Sequence, residues 1–152
     1  MSCKHPFPPP SHQHEYDVFT IHLCERSGDS YTTRGFNASG TLPSPSNPLG
    51  NPAYPGKTTT GGTNYVDYLT MNLNSSLVLT YDYAVGGATI NKSLVAPGHA
   101  SRSLIIQTND FLQGAGKKPK SAPWTSENAL FSIWIGINDV GNSYQRSGDR
   151  KA

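Results

Sequence analysis

An α/β fold built on a parallel sheet is what this sequence predicts, and three observations carry that expectation. Segments rich in β-branched and aromatic residues alternate with segments of helical apolar spacing, giving strand, helix, strand, helix, strand. The run Ala129-Leu130-Phe131-Ser132-Ile133-Trp134-Ile135 is apolar without alternation, which suits a parallel strand covered on both faces. Three turn motifs, Gly28-Asp29-Ser30-Tyr31, Gly86-Gly87 and Gly136-Ile137-Asn138-Asp139, each follow a strand candidate. Open α/β sheets gather their ligands at such carboxyl strand ends.

The elements follow in order. Residues 1–16, with Pro6-Phe7-Pro8-Pro9-Pro10-Ser11-His12-Gln13-His14, read as a disordered lead-in. Metal ligation by His12 and His14 is set aside, because no partner motif accompanies them. Val18 to Leu23 is β-rich and predicts a first strand over 18–24, with Ser30 beyond it. Gly35 to Gly62 is a long loop carrying Pro43, Pro45, Pro48, Pro52 and Pro55; loops of that length are usually functional. Thr63 or Asn64 can cap a helix over Tyr65–Met71 that puts Val66, Leu69 and Leu73 on one face. Leu77–Ala84 predicts the second strand. His99–Phe111 predicts a second helix, with Leu104, Ile105, Thr108, Phe111 and Leu112 at helical spacing. The third strand is expected over 129–136, with Ile133, Trp134 and Ile135 partly exposed. Residues 145–152 are expected to be an unstructured tail.

Composition bounds the reading. The chain has 152 residues, 35% hydrophobic and only 14% charged, with 15 Gly and 12 Pro. That is one domain with a loop-rich, uncharged surface rather than a disordered chain, which usually carries high net charge. A net charge of +2 is too small to argue for nucleic acid or an anionic membrane. No apolar run approaches the roughly 20 residues of a membrane span. Cys3 and Cys24 are the two cysteines; a disulfide between them and two separate thiols both stay open. Asn37-Ala38-Ser39, Asn74-Ser75-Ser76 and Asn91-Lys92-Ser93 fit the glycosylation acceptor pattern and lean towards secretion. Met1 to Pro10, however, has no apolar signal-peptide core.

The chemistry rests on the turns. A serine nucleophile needs an exposed hydroxyl at a strand end, and the oxyanion it generates needs converging hydrogen-bond donors. Singly, Ser30 is a turn serine capping its own backbone, Gly86-Gly87 a tight turn and Asn138 an Asx-turn residue. Their order and their placement after successive strands make the set stronger. No Gly-x-Ser-x-Gly elbow is present. Gly114-Ala115-Gly116-Lys117-Lys118 lacks the spacing of a phosphate-binding loop, so Lys117, Lys118 and Lys120 read as a solvated connection.

Residues 28 to 144 resemble the first half of an SGNH (GDSL-type) hydrolase, and within that superfamily the fungal acetylesterases of carbohydrate esterase family 16. The resemblance lies in Gly28 to Asn37, Asn47 to Gly56, Asn64 to Thr70, Tyr83 to Thr89, Trp124-Thr125 and Leu130 to Tyr144. It accounts for the long Pro/Gly loop as part of the family pattern. It implies a three-layer α/β/α, flavodoxin-like fold, with 17–144 a partial domain truncated after the third strand. It implies Ser30 as nucleophile and first oxyanion donor, Gly87 (Gly86 if the register slips) as second donor, and the Asn138 amide as third. Acetylated carbohydrates or small acetyl esters are the implied substrates, and the implied location is extracellular. No metal, cofactor, nucleic acid, membrane or protein partner is implied.

Two departures shape the expectation for activity. The family's Asp-x-x-His block has no counterpart, since no histidine follows His99, and His99 on a predicted helix does not match the family's base. Glu25-Arg26-Ser27 stands where the family commonly closes its first strand with an apolar residue. That insertion and the tail after Tyr144 are compatible with translated non-coding sequence around a fragment. The expectation is a weakly active or inactive esterase. The alternatives are a non-catalytic secreted carbohydrate-binding remnant and a non-functional fragment.

Overall fold

A computed structural model describes residues 23–98 and 102–147. Strand β1 (Leu23–Gly28), helix α1 (Tyr65–Met71), strand β2 (Leu79–Asp82), helix α2 (Leu104–Gln113), strand β3 (Ala129–Trp134) and the short helix α3 (Ile137–Gly141) follow one another along the chain. The three strands form one parallel sheet in the order β2-β1-β3. The expected parallel α/β architecture is present, with β1 in the middle.

The register sorts side chains into two faces, because successive residues of a strand point opposite ways. Leu23 and Glu25 sit beside Leu79 and Tyr81 on one side and Ala129 and Phe131 on the other. This face meets α2, where Phe111 makes ring contacts with Tyr83, Trp124 and Phe131 at 5.4–6.2 Å. Leu23, Tyr81, Tyr83, Ala115 and Ala122 form its buried core. The opposite face presents Cys24 and Arg26 beside Thr80 and Asp82. It meets α1, through a 2.7 Å hydrogen bond between the Thr70 and Thr80 hydroxyls and through the Arg26 guanidinium 5.7 Å from the Tyr65 ring centre. Helix, sheet, helix gives the three layers.

Helix α1 spans the expected residues, and Asn64 supplies the cap. Its side chain accepts from the Val66 and Asp67 amides while Asp67 accepts from the Asn64 N–H, a reciprocal capping box. The buried face differs from the expected one. Val66, Asp67 and Thr70 are buried, whereas Leu69 and Leu73 are exposed, because this layer packs on polar rather than apolar groups. Helix α2 runs over 104–113; Gln107 is its one fully buried side chain, and Ile105 and Leu112 face outward.

The largest correction concerns β1. Among the described residues the strand runs over Leu23–Gly28 instead of ending at residue 24, and Glu25-Arg26-Ser27 lies inside it rather than interrupting it. Ladder pairing carries the three polar residues into the sheet, Glu25 and Arg26 between both neighbours and Ser27 against β3. Residues 18–22 lie outside the described residues, as do the lead-in, Cys3, and all five histidines: His5, His12, His14, His22 and His99. The other strands end earlier than expected, β2 at Asp82 and β3 at Trp134. No helix of the described residues is long and apolar enough to cross a membrane. Cys24 is a buried free thiol, its pKa pushed up to about 11 by burial.

Candidate active site

Ser30 follows the central strand directly. The ladder on the β2 side continues past β2 itself: the Tyr83 N–H donates to the Arg26 carbonyl at 2.7 Å and the Val85 N–H to the Gly28 carbonyl at 3.1 Å. The chain then turns sharply. Asp29 Oδ1 accepts from the Tyr31 N–H at 3.0 Å, and the Asp29 carbonyl accepts from the Thr32 and Thr33 amides at 3.1 and 2.9 Å. An Asx turn of this kind is local chemistry that aspartate supplies readily. It leaves Asp29 fully buried and Ser30 half-buried at the strand end. Gly28 must be glycine here, since a Cβ would drive into the Trp134 carbonyl.

The second turn comes alongside. The Ala88 N–H closes onto the Val85 carbonyl at 3.1 Å, and Gly87 holds φ +77°, a left-handed conformation that glycine adopts without strain. Gly86 lies directly beside Ser30, so that a Cβ built on it would stand 3.8 Å from the Ser30 Cβ. The third turn grips the second. Asn138 Nδ2 donates to the Ala88 carbonyl at 2.9 Å, and both Asp139 carboxylate oxygens accept from the Ile90 N–H at 3.0 and 3.1 Å. A primary amide carries two N–H donors; one anchors Asn138 to the turn that carries Gly86 and Gly87. The three turns that the sequence singled out thus meet at the carboxyl edge of the sheet.

Residues that sequence reading passed over hold this assembly. The long Pro/Gly loop is tied to the site by polar contacts. Arg34 Nε pairs with Asp67 Oδ1 at 2.5 Å, both side chains fully buried. Asn64 Nδ2 donates to the Thr32 and Thr33 carbonyls, and Thr33 Oγ1 donates to the Ala84 carbonyl at 2.8 Å. The Lys57 N–H reaches back to the Arg34 carbonyl at 2.8 Å. The other contribution is Gln107, which bonds Gly28 from a helix 79 positions away. Neither tie had a sequence signal, because both depend on long-range pairing.

An aromatic surface borders the serine. Tyr31 and Trp134 stack at 5.9 Å with 25° between ring planes, and Tyr65 stands 5.7 Å from Trp134. The Tyr65 hydroxyl is 3.0 Å from Thr32 Oγ1. A separate cavity of about 390 Å³, lined by Leu23, Leu79 and Trp124 among others, lies at the amino ends of the strands, the wrong end for this chemistry.

The electrostatics of the site are those of buried carboxyls. Burial pushes the Asp29 pKa upward; its hydrogen bond from Tyr31 works against that, and the nearby Asp139 charge reinforces it. The Ser30 hydroxyl has no hydrogen-bond partner among the described residues, so no base is seen to accept its proton. No cluster of His, Cys, Asp and Glu able to hold a metal occurs among the described residues.

Similarity to known proteins agrees with this geometry. Residues 28–152 match the family described as GDSL-like lipase/acylhydrolase. A curated acetylesterase of Thermothelomyces thermophilus is 50% identical over 127 residues, which is 83% of this chain and 42% of that protein. The chain therefore spans about two fifths of the length of the curated relative it matches.

Proposed function

The chain belongs to the GDSL-like lipase/acylhydrolase family, and from that premise we propose that it carries the nucleophile and the oxyanion site of a serine carboxylic-ester hydrolase acting on acetyl esters. The observation that carries this reading is the meeting of Ser30, the Gly86-Gly87 turn and Asn138 at one sheet edge. Ser30 Oγ attacks the ester carbonyl to form an acyl-enzyme and expel the alcohol. The Ser30 and Gly87 N–H groups, with the second N–H of Asn138, are the donors for the oxyanion of that step. Water then attacks the acyl group and releases acetate. The acetyl preference is supported by the similarity to an acetylesterase; acetylated carbohydrates as its natural substrates, and secretion, belong to the same proposal.

The reading also sets a level of activity. The described residues supply no histidine to take the Ser30 proton, since all five histidines of the sequence lie outside them. Without a base, a serine hydrolase site keeps only roughly 10³–10⁴-fold acceleration over water, from oxyanion stabilisation and binding. Hydrolysis of p-nitrophenyl acetate by the purified 152-residue chain, beside Ser30→Ala, is the test. We expect slow turnover or a single acylation burst that Ser30→Ala removes. Hydrolysis that survives Ser30→Ala defeats the assignment. Fast turnover that Ser30→Ala abolishes keeps the nucleophile but shows that a base, His22 or His99, reaches it.

A further inference from the structure

The structure assigns Gln107 a positioning role for the nucleophile turn: its buried side-chain amide holds the Gly28 peptide and so fixes where Ser30 stands. This rests on the reading of Ser30 as nucleophile, and concerns a residue that neither its sequence context nor the family's motifs single out.

Two hydrogen bonds carry the inference. The Gly28 N–H donates to Gln107 Oε1 at 2.8 Å, and Gln107 Nε2 donates to the Gly28 carbonyl at 2.8 Å. Gln107 is 0% exposed, the only fully buried side chain of α2. The need for it follows from the sheet. β2 stops at Asp82, opposite Arg26, two residues before β1 ends. Gly28 therefore extends past β2, and although its carbonyl still receives the Val85 N–H, its own N–H would be left buried and unpaired. Leaving such a group unsatisfied costs about 1–3 kcal/mol. A glutamine side chain ends in the same donor and acceptor as a peptide group, so Gln107 completes the ladder where the strand is absent. Gly28 is two residues from Ser30, and the intervening Asp29 is fully buried in its own turn. Freedom at Gly28 is therefore freedom at the Ser30 hydroxyl. Misplacement of a reacting group by about 1 Å can cost 10²-fold in rate.

The test uses two variants of the full chain and two readouts. Gln107→Leu keeps the bulk of the side chain and removes both bonds. Gln107→Glu keeps the shape; its neutral acid can donate and accept as glutamine does, whereas its carboxylate can still accept from the Gly28 N–H but sets its second oxygen, an acceptor, against the Gly28 carbonyl. Hydrogen exchange reads the clamp without any need for activity. In Gln107→Leu the Gly28–Tyr31 amides should exchange at least tenfold faster while Leu23–Arg26 stay protected. In Gln107→Glu the same loss should appear at high pH and reverse on acidification. Ser30-dependent acylation by p-nitrophenyl acetate reads the consequence: a tenfold to hundredfold lower acylation rate with the ester's apparent KM unchanged, recovering in Gln107→Glu at acid pH relative to the parent chain. Turn amides that stay protected in a folded Gln107→Leu chain would overturn the inference. So would loss of protection spread evenly along β1, or an unchanged acylation rate in a folded variant with a released turn. Should the parent chain show no Ser30-dependent acylation, the proposed function falls, and the exchange pattern alone still decides whether Gln107 holds the turn.

Discussion

Strands β1 and β3 lie side by side and reverse the usual link between composition and burial. β1 reads Leu-Cys-Glu-Arg-Ser-Gly, and all six residues are buried. β3 reads Ala-Leu-Phe-Ser-Ile-Trp, and none of its six is. Leu130, Phe131, Ile133 and Trp134 are 44–62% exposed, while Glu25 is 4% and Arg26 7%. Position explains the reversal. β1 is central and covered by α1 and α2 on its two faces, whereas β3 has β1 as its single strand neighbour among the described residues. Place in the sheet order decides what is buried, and the side chains must then cope. In β1 the Ser27 hydroxyl donates to the Glu25 carboxyl and burial raises that carboxyl's pKa, while Arg26 Nε is buried without a hydrogen-bond partner; β3 leaves apolar surface in water. The site inherits both characters, with Ser30 at the end of the first strand and Trp134 and Asn138 at and beyond the end of the second.

The buried polar side should be the fragile one. Arg34 and Asp67 pair with both side chains fully buried, and Asp67 also accepts from the Asn64 N–H in the α1 cap. Asp67→Ala would strand the Arg34 charge in the interior. Removing one partner of a buried pair typically costs 3–5 kcal/mol, which for a domain of this size is a large share of total stability. The expected outcome is loss of cooperative unfolding, or a denaturant midpoint lowered by that amount. A loss under about 1 kcal/mol would mean that water reaches Arg34 and that the polar side is no more tightly built than β3.

How far the sequence revealed this contrast can be judged residue by residue. Helix α1 was legible to its ends, because Asn64 and Asp67 form a local box within four residues. β3 is a parallel strand as expected, but the cover on both faces that its apolar run suggested is not found among the described residues, where none of its six residues is buried. The three turns were legible because Gly, Asp and Asn force turns by local backbone chemistry. The end of β1 was placed too early because Glu-Arg-Ser looks like a loop; only pairing with its neighbours makes it strand, and pairing partners are not visible locally. Gln107 was passed over for the same reason, and Asp139, though part of a named turn, was given no role, since their bonds span 79 and 49 positions.

Acidity offers a second way to test the buried side. Burial raises the Glu25 carboxyl from 4.5 to about 7, against the opposing Ser27 hydrogen bond and Arg26 charge. Burial likewise raises Asp82 from 3.8 to about 8, against a hydrogen bond from Ala84 and the charges of Arg34 and Arg26. A carboxyl whose pKa is higher in the folded chain keeps its proton there after the unfolded chain has lost it. Its stabilising contribution is full below the unfolded pKa and is lost as pH rises through the folded one. Stability should therefore fall between about pH 4 and pH 8, by at least about 1.4 kcal/mol, the value of one pKa unit. Urea unfolding at pH 5 and pH 8 measures it, and Glu25→Gln should flatten the part of the slope below pH 7. Stability that rises over this interval would mean that Glu25 and Asp82 are ionised in the folded chain.

The smallest effect on stability belongs to β3, and it sharpens the comparison from the opposite side. Ile133 is 62% exposed, although its register partner is the fully enclosed Ser27. Replacing it with threonine keeps the β-branched shape that suits a strand and removes little buried apolar area. Exposed substitutions of this kind usually change stability by no more than about 0.5 kcal/mol. Self-association should respond far more. An edge strand with outward apolar side chains is a template for pairing with another chain, and Leu130, Phe131, Ile133 and Trp134 stand together on it. Ile133→Thr should lower light scattering and raise the soluble concentration at an almost unchanged urea midpoint. A midpoint that drops by 2 kcal/mol or more, with no gain in solubility, would show Ile133 to be packed in solution, and the contrast between the two strands would then be one of composition alone.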